Sequence, residues 1–393
     1  MNKSLIQSVL FFSGFALIML ALVVGPVKHF FWPLLLAETA IPETVQDDTL
    51  PDPNLQFTIV PGDEHGAFDT NGFANKGEVQ AHYDIIALGD SQTAGSLVSW
   101  PGILSDKTGQ SVYNMGVKGY GVAQFSYLLD KALAFHPQRI IIGLYMGQDV
   151  FNTYDIVYHL DAWKKYRSPN FVDDQPFQSN KLKMTNIAFR SWRDWLRAHS
   201  AIYRFIGDNT RILREELGFA SPRTIGTTDW NNTDPDATLK YNKTPSQTTL
   251  FWVGSHLRGL NTDDKNILEG LRLSQVFLTE MNAKAKAHNA QLVVALIPIK
   301  EEVYAKKVEE AGQKNATYQK VISSETKLRD VLLDTCTKEK IACVDLLPYL
   351  QNRLDGGEVL YKPTWDVHPS ALGYEAYADG IIGYLGNLKL HGI

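Results

Sequence analysis

The sequence predicts an α/β fold with a mostly parallel sheet of five strands in three layers, helices covering both faces. Three observations carry the prediction. Candidate strands recur at 85–88, 111–114, 139–146, 291–297 and 341–346, most of them short apolar runs. Stretches of helical spacing lie between them, and strands alternating with helices imply parallel pairing through crossovers. The 393 residues are 44% hydrophobic, enough for one large core or two medium ones.

The regular part opens at His82. The run Ile85, Ile86, Ala87, Leu88 is apolar throughout, as suits a strand buried on both faces, and it ends abruptly in Gly89-Asp90-Ser91. A short helix is predicted over 100–109 and a second strand over 111–114. Helical spacing over 122–136 stops before Pro137. RIIIGLYM at 139–146 is a third buried strand. A long amphipathic helix follows over 262–289, then the strand 291–297. Residues 317–338 are helical, 341–346 form a strand, and 370–385 form the last helix.

Two regions depart from this rhythm. Residues 5–24 are almost wholly apolar and uncharged, and about 20 such residues cross a hydrocarbon core as a helix. Lys3 precedes them and Lys28 and His29 follow, so charge bias barely sets orientation. A cleaved signal peptide has a shorter apolar core and an A-x-A-like site. Here the position three before a cut near Ala37 or Ala40 is Leu35 or Glu38. A buried soluble helix would show a polar face, and none is marked. Residues 1–37 therefore read as an uncleaved N-terminal membrane anchor, 38–80 as a tether and extension, and 81–393 as the folded domain. The tether, 38–54, is rich in proline and acid (Pro42, Asp47, Asp48, Pro51, Asp52, Pro53), and 56–80 reads as short extended pieces and turns.

The second departure is an aromatic-rich insertion at about 151–260. Within it, 187–217 reads as an amphipathic helix, with Trp192, Trp195, Leu196, His199, Ile202 and Tyr203 near one face. Arg190, Arg193, Arg197 and Arg204 lie between them. Three readings stand: an interfacial membrane helix, an aromatic cap over a pocket, or a stripe packed on the core.

Composition excludes some partners. A net charge of -5 and a pI near 6.1 give no footprint for nucleic acid. Cys336 and Cys343 are the only cysteines, and without a nearby histidine they make no zinc site. Outside the cytosol they could be oxidised to a local bridge; the alternative is two separate buried thiols.

Candidate chemistry collects at strand ends, where open parallel sheets place their sites. Ser91 follows the first strand. Asn114-Met115-Gly116-Val117-Lys118-Gly119-Tyr120-Gly121 follows the second, and glycine there allows close approach of a backbone N–H. Gly147-Gln148-Asp149 follows the third, and its amide can aim an N–H at a developing oxyanion. Asp366-Val367-His368 precedes the last helix. A carboxylate two residues before a histidine can hold the Nδ1–H, leaving Nε2 free to take a proton from a serine hydroxyl.

In this order, the residues resemble the SGNH (GDSL-type) hydrolase superfamily. Gly89-Asp90-Ser91 is similar to its first block, Gly116 to the second, Gly147-Gln148-Asp149 to the third and Asp366-Val367-His368 to the fifth. The run 69–75 (DTNGFAN) resembles an Asp-x-x-Gly-Phe-x-Asn element upstream of the serine block in bacterial members. One departure stands in the third block, where Gln148 replaces the usual asparagine. The resemblance implies a flavodoxin-like fold and a Ser91, His368, Asp366 triad. It implies an oxyanion hole from the N–H groups of Ser91 and Gly116 with the Gln148 side chain, and an acyl-serine intermediate. No metal or organic cofactor is implied. The expected function is a membrane-anchored esterase with its catalytic domain in the periplasm or outside. Its expected substrates are O-acetyl groups of envelope carbohydrates. The alternatives are an O-acetyltransferase fed by a membrane-bound acyl donor, a lipase or thioesterase at the membrane surface, and a non-catalytic envelope binding protein.

Overall fold

In the computed structural model the described residues are 49–62, 68–95, 98–173, 239–241, 249–362, 364 and 366–390. The chain enters with an antiparallel hairpin, β1 (Thr49–Asp52) and β2 (Gln56–Ile59). It continues through β3 (Ile85–Gly89), α1 (Ser91–Ala94), α2 (Trp100–Thr108), β4 (Val112–Gly116), α3 (Val122–Leu133) and β5 (Arg139–Tyr145). Next come α4 (Asp149–His159), a 3₁₀ helix (Asp161–Tyr166), β6 (Leu239–Tyr241), β7 (Thr249–Phe251), α5 (Val253–Leu260), α6 (Lys265–Ala287) and β8 (Gln291–Ile297). The last elements are α7 (Lys300–Val303), α8 (Ala305–Glu310), α9 (Ala316–Glu339), β9 (Ala342–Asp345), α10 (Leu347–Asp355) and α11 (Ala371–Leu390).

The main sheet has the order β4-β3-β5-β8-β9, and every pairing in it is parallel. The three central strands, IIALG, RIIIGLY and QLVVALI, are buried along almost their whole length, as a sheet covered on both faces requires. Helices α3, α4 and α6 pack together, and α2 packs on α11. The chain leaves β3 toward one edge and β5 toward the other. The crevice between their carboxyl ends is thus the topological switch point, and Ser91 sits there, directly after β3.

Local sequence explains several boundaries. Ser99 caps α2 by accepting from the Gly102 N–H, Pro101 occupies its first turn, and Gly109 closes it with φ +68°. Asp264 caps α6 through the Asn266 N–H, and Asn315 caps α9 through the Tyr318 N–H.

Two expectations change, and one open alternative closes. Residues 49–52 are a strand, so the tether read over 38–54 ends before Thr49. The hairpin is held by partners far along the chain. Gln124 Nε2 donates to Leu55 O at 3.1 Å, Trp163 Nε1 donates to Asn54 O at 2.7 Å, and Tyr120 OH donates to Phe57 O. The predicted insertion loses its first residues, because α4 belongs to the core and packs on α6. The cysteines are joined as Cys336–Cys343, with Cα atoms 6.1 Å apart, linking the end of α9 to β9. The apolar run 5–24 and the amphipathic stretch 187–217 lie outside the described residues. Among the described residues no helix is long and apolar enough to cross a membrane.

Candidate active site

Ser91 is the first residue of α1, at the end of β3. Asp90 caps this turn, its Oδ1 accepting from the Gln92 N–H at 2.8 Å and its carbonyl from the Thr93 and Ala94 N–H groups. The Ser91 hydroxyl is partly exposed and donates only weakly to Asp90 Oδ2, at 3.4 Å. Burial pushes the Asp90 carboxyl up to about 6, against the pull of the Gln92 N–H and of nearby His368.

The loop before α11 brings Asp366 and His368 together. His368 Nδ1 lies 2.6 Å from Asp366 Oδ1, which also accepts the His368 backbone N–H at 3.0 Å. The His368 hydrogen bond holds the Asp366 carboxyl down at about 2, against its partial burial. An ionised carboxylate only accepts, so Nδ1 carries the proton and Nε2 presents its lone pair. Among the described residues Nε2 has no hydrogen-bond partner. The Ser91 turn and the His368 loop touch, through Gln92 Nε2 donating to Val367 O at 3.4 Å. Buried Tyr374 feels the charges of both Asp90 and Asp366, which push its hydroxyl up further after burial. No hydrogen bond joins Ser91 Oγ to the His368 ring among the described residues.

The second strand end differs from expectation in its donor. The Gly116 N–H is already engaged, donating to Asn114 Oδ1 at 2.9 Å. Gly116 is pressed against α1: a Cβ there would fall 2.9 Å from Ala94 Cα, so glycine is demanded by packing. Three residues on, the chain turns. The Tyr120 N–H donates to Val117 O at 3.2 Å, and Gly119 has φ +83°, which fits the third position of a type II turn. The Gly119 N–H donates no hydrogen bond among the described residues.

At the third strand end Gln148 is exposed, and its side chain makes no hydrogen bond among the described residues. Asn152 is committed elsewhere, its Nδ2 donating to Gly119 O at 3.2 Å. Asp149 is fully buried, with Oδ2 accepting from the Tyr145 N–H at 2.8 Å and Oδ1 unpartnered. Burial and the Asp90 charge push its carboxyl well above the usual range.

Two supports escaped the sequence reading. Asn114 joins three pieces of the site: Nδ2 donates to Thr93 O at 3.0 Å and to Ala94 O at 3.3 Å, while Oδ1 takes the Gly116 N–H. Its backbone is gripped by Asn75, which accepts from the Asn114 N–H and donates to Asn114 O. Asp69 in turn accepts from Asn75 Nδ2, Tyr113 OH and the Asn71 and Phe73 N–H groups. The signal was present in the DTNGFAN run, whose polar residues are spaced for such a hub. The second support is Lys300, directly after β8. It is 1% exposed, yet its ammonium donates to Thr364 O at 2.9 Å and Asp366 O at 3.0 Å. Its signal was the charged run Lys300-Glu301-Glu302 following a buried strand.

No group of three or more His, Cys, Asp or Glu side chains among the described residues is placed to hold a metal ion.

No family model and no curated protein matches the sequence. Solved structures do. A G-D-S-L family lipolytic protein from Desulfitobacterium hafniense DCB-2 aligns at 15% identity and a TM-score of 0.36, over 76% of this chain and 98% of that one. An acetylxylan esterase from Geobacillus stearothermophilus, solved as a catalytic mutant, aligns at 12% identity and a TM-score of 0.37, over 78% and 96%. An α/β hydrolase from the metagenome of Lake Arreo, Spain, aligns at 11% identity and a TM-score of 0.37, over 78% and 97%.

Proposed function

We propose that this chain is an SGNH-type serine ester hydrolase. The observation that carries the reading is the Asp366–His368 pair, 2.6 Å apart with Nε2 unengaged, on a loop that touches the Ser91 turn. In this reading Ser91 Oγ attacks an ester carbonyl and passes its proton to His368 Nε2. Asp366 holds the imidazole by Nδ1 and stabilises the imidazolium. Collapse of the tetrahedral intermediate breaks the ester C–O bond, and His368 returns the proton to the leaving alcohol. Water, deprotonated by His368, then hydrolyses the acyl-Ser91; a second alcohol in that role makes the reaction an acyl transfer.

The oxyanion is assigned to the Ser91 N–H, the Gly119 N–H and the Gln148 side chain. Gly119 replaces Gly116 because the Gly116 amide is spent on Asn114 and the Gly119 amide is not. Gln148 retains an amide donor, exposed at the rim and unconstrained by other bonds.

The substrate is assigned to O-acetyl esters of envelope carbohydrates, and the enzyme to the outer side of the cytoplasmic membrane, held by residues 1–37. The uninterrupted apolar run 5–24 supports the anchor. The Cys336–Cys343 bridge supports an oxidising compartment.

A serine-directed fluorophosphonate tests the chemistry. Wild type should be labelled and should turn over p-nitrophenyl acetate, and Ser91→Ala should do neither. An unlabelled wild type, with Ser91→Ala indistinguishable from it in turnover, sinks the enzyme reading. Incubation with acetylated polysaccharides, following both acetate release and acetyl transfer, decides the acceptor; preference for long-chain esters over acetyl refutes the acetyl assignment.

A further inference from the structure

Lys300 breaks a rule of protein interiors. A lysine 1% exposed has given up its hydration, and burial draws its ammonium down to about 8. A buried cation is ordinarily offset by a carboxylate. Here the carboxylates of Glu301 and Asp366 offset it only through space: Glu301 Oε1 lies 2.8 Å from His256 Nδ1, and among the described residues neither carboxylate is hydrogen-bonded to Nζ. Among the described residues the hydrogen-bond partners of Lys300 are two main-chain carbonyls, those of Thr364 and Asp366. The rings of Phe251 and Tyr361 complete its surroundings, 5.9 and 6.0 Å from Nζ.

Those two carbonyls flank the start of the acid–base loop. The Asp366 N–H donates to Thr364 Oγ1 at 3.2 Å, and the Asp366 carboxylate receives two hydrogen bonds from His368. A segment fastened at residues 364 and 366 has little freedom left before the carboxylate that orients the base. The fastening point is rigid, since Lys300 follows β8, a central strand paired on both sides. An apolar side chain of the same length would fill the space without the desolvation cost. Local rules are broken in this way where function, and not stability, is served.

We propose that Lys300 is a positioning residue: it ties the main-chain carbonyls of Thr364 and of Asp366 to the start of α7, so that Asp366 holds His368 in register with Ser91. The inference rests on the serine-hydrolase reading above. Lys300 touches no reacting atom. It acts through Asp366 and His368.

The test is Lys300→Met in the full chain, with the rate of fluorophosphonate labelling, kcat and KM for p-nitrophenyl acetate, and the melting temperature as readouts. The variant removes a desolvated charge but leaves the part-buried Thr364 and Asp366 carbonyls without their donor, so the two effects oppose and its melting temperature should stay within about 10 °C of wild type. Its labelling rate and kcat should fall about tenfold or more, with KM within about twofold. In a His368→Ala background the same substitution should change the residual labelling rate by less than about twofold, since the two act in series. Wild-type kcat in the Met variant overturns the proposal. So does a variant that fails to fold or melts more than about 10 °C below wild type, which makes the role structural. A further loss of about tenfold in the His368→Ala background also overturns it, because Lys300 then acts elsewhere. Failure of the underlying reading looks different: wild type itself goes unlabelled.

Discussion

Asn114→Ala should damage both stability and catalysis, and the structure sets the size. The side chain is 4% exposed and makes three hydrogen bonds at 2.9–3.3 Å. Truncation leaves the Gly116 N–H buried against α1 with no acceptor, at about 1–3 kcal/mol. The two bonds to the Thr93 and Ala94 carbonyls contribute about 0.5–1.5 kcal/mol each, part of which water recovers. A loss of about 2–4 kcal/mol follows, a large share of the 5–15 kcal/mol typical of a folded domain. The catalytic effect has the same origin. Asn114 ties the end of α1, three residues beyond Ser91, to the end of β4. A displacement of about 1 Å in a reacting group can cost on the order of a hundredfold in rate. Asn114→Asp separates the two halves of the contact. It keeps an acceptor for the Gly116 N–H but sets a carboxylate against two carbonyl oxygens. At pH 7 it should be at least as unstable as the alanine variant, and it should recover as acid protonates the carboxyl and restores a donor. Urea unfolding followed by circular dichroism, with p-nitrophenyl acetate turnover, measures all of this. An alanine variant within about 0.5 kcal/mol of wild type and equally active would refute the reasoning.

Replacing both Cys336 and Cys343 by serine should lower the unfolding free energy by about 2.5 kcal/mol on the chain-entropy account of a short loop, read from urea midpoints. Reductant should then affect wild type and not the variant. Gln148→Ala should lower kcat on the order of a hundredfold with KM little changed if the amide serves the oxyanion; an unchanged kcat removes Gln148 from that role. Asp90 makes stability depend on pH in a signed way. Its folded value, about 6, lies above the ordinary aspartate value of about 3.9, so between them the folded chain holds a proton that the unfolded chain has lost. Its contribution to stability is therefore present below about 4 and lost as pH rises through about 6. Asp90→Asn, which keeps an acceptor for the Gln92 N–H, should flatten the urea midpoint between pH 4.5 and 7.5; an unaltered slope excludes Asp90 as its source.

The parts of this fold legible in the sequence are those whose signal is local. β3, β5 and β8 are continuous apolar runs and lie within a residue or so of their expected bounds. The long helices α6 and α9 carry their own periodicity and caps. Half of the hairpin is legible, since β2 falls in the stretch read as extended pieces and turns; β1 falls in the stretch read as tether, because the hairpin is held by Tyr120, Gln124 and Trp163, which are 63, 69 and 109 residues away from their partners. Most of α4, from Phe151 on, falls in the stretch read as insertion because Phe151, Tyr154 and Tyr158 resemble a loop's aromatics until α6 is packed against them. Short α7, α8 and α10 have too few residues to show a period.

The site divides along the same line. Ser91, Asp366 and His368 were legible because each sits in a tripeptide whose chemistry is self-contained. The second strand end was not, because three glycines compete within six residues and sequence cannot rank them. Rank comes from Asn114, whose Oδ1 reaches forward to the Gly116 N–H and removes it from use. The same logic extends to Lys300 and to the buried pair of His256 with Glu301. His256 Nε2 lies 3.2 Å from Tyr145 OH, and a Cβ on Gly147 would meet that hydroxyl at 2.7 Å. Two adjacent residues of α7 therefore bear on both rims of the crevice, Lys300 directly on the carbonyls of Thr364 and Asp366, and Glu301 only through His256 and Tyr145, whose hydroxyl lies under Gly147. Such contacts join residues 45 and 64–66 apart in sequence, so no window short enough to show periodicity contains both partners. Each of the buried charges costs desolvation. A chain keeping them beneath two loops at the switch point of its sheet maintains the geometry of that crevice at the expense of its own stability.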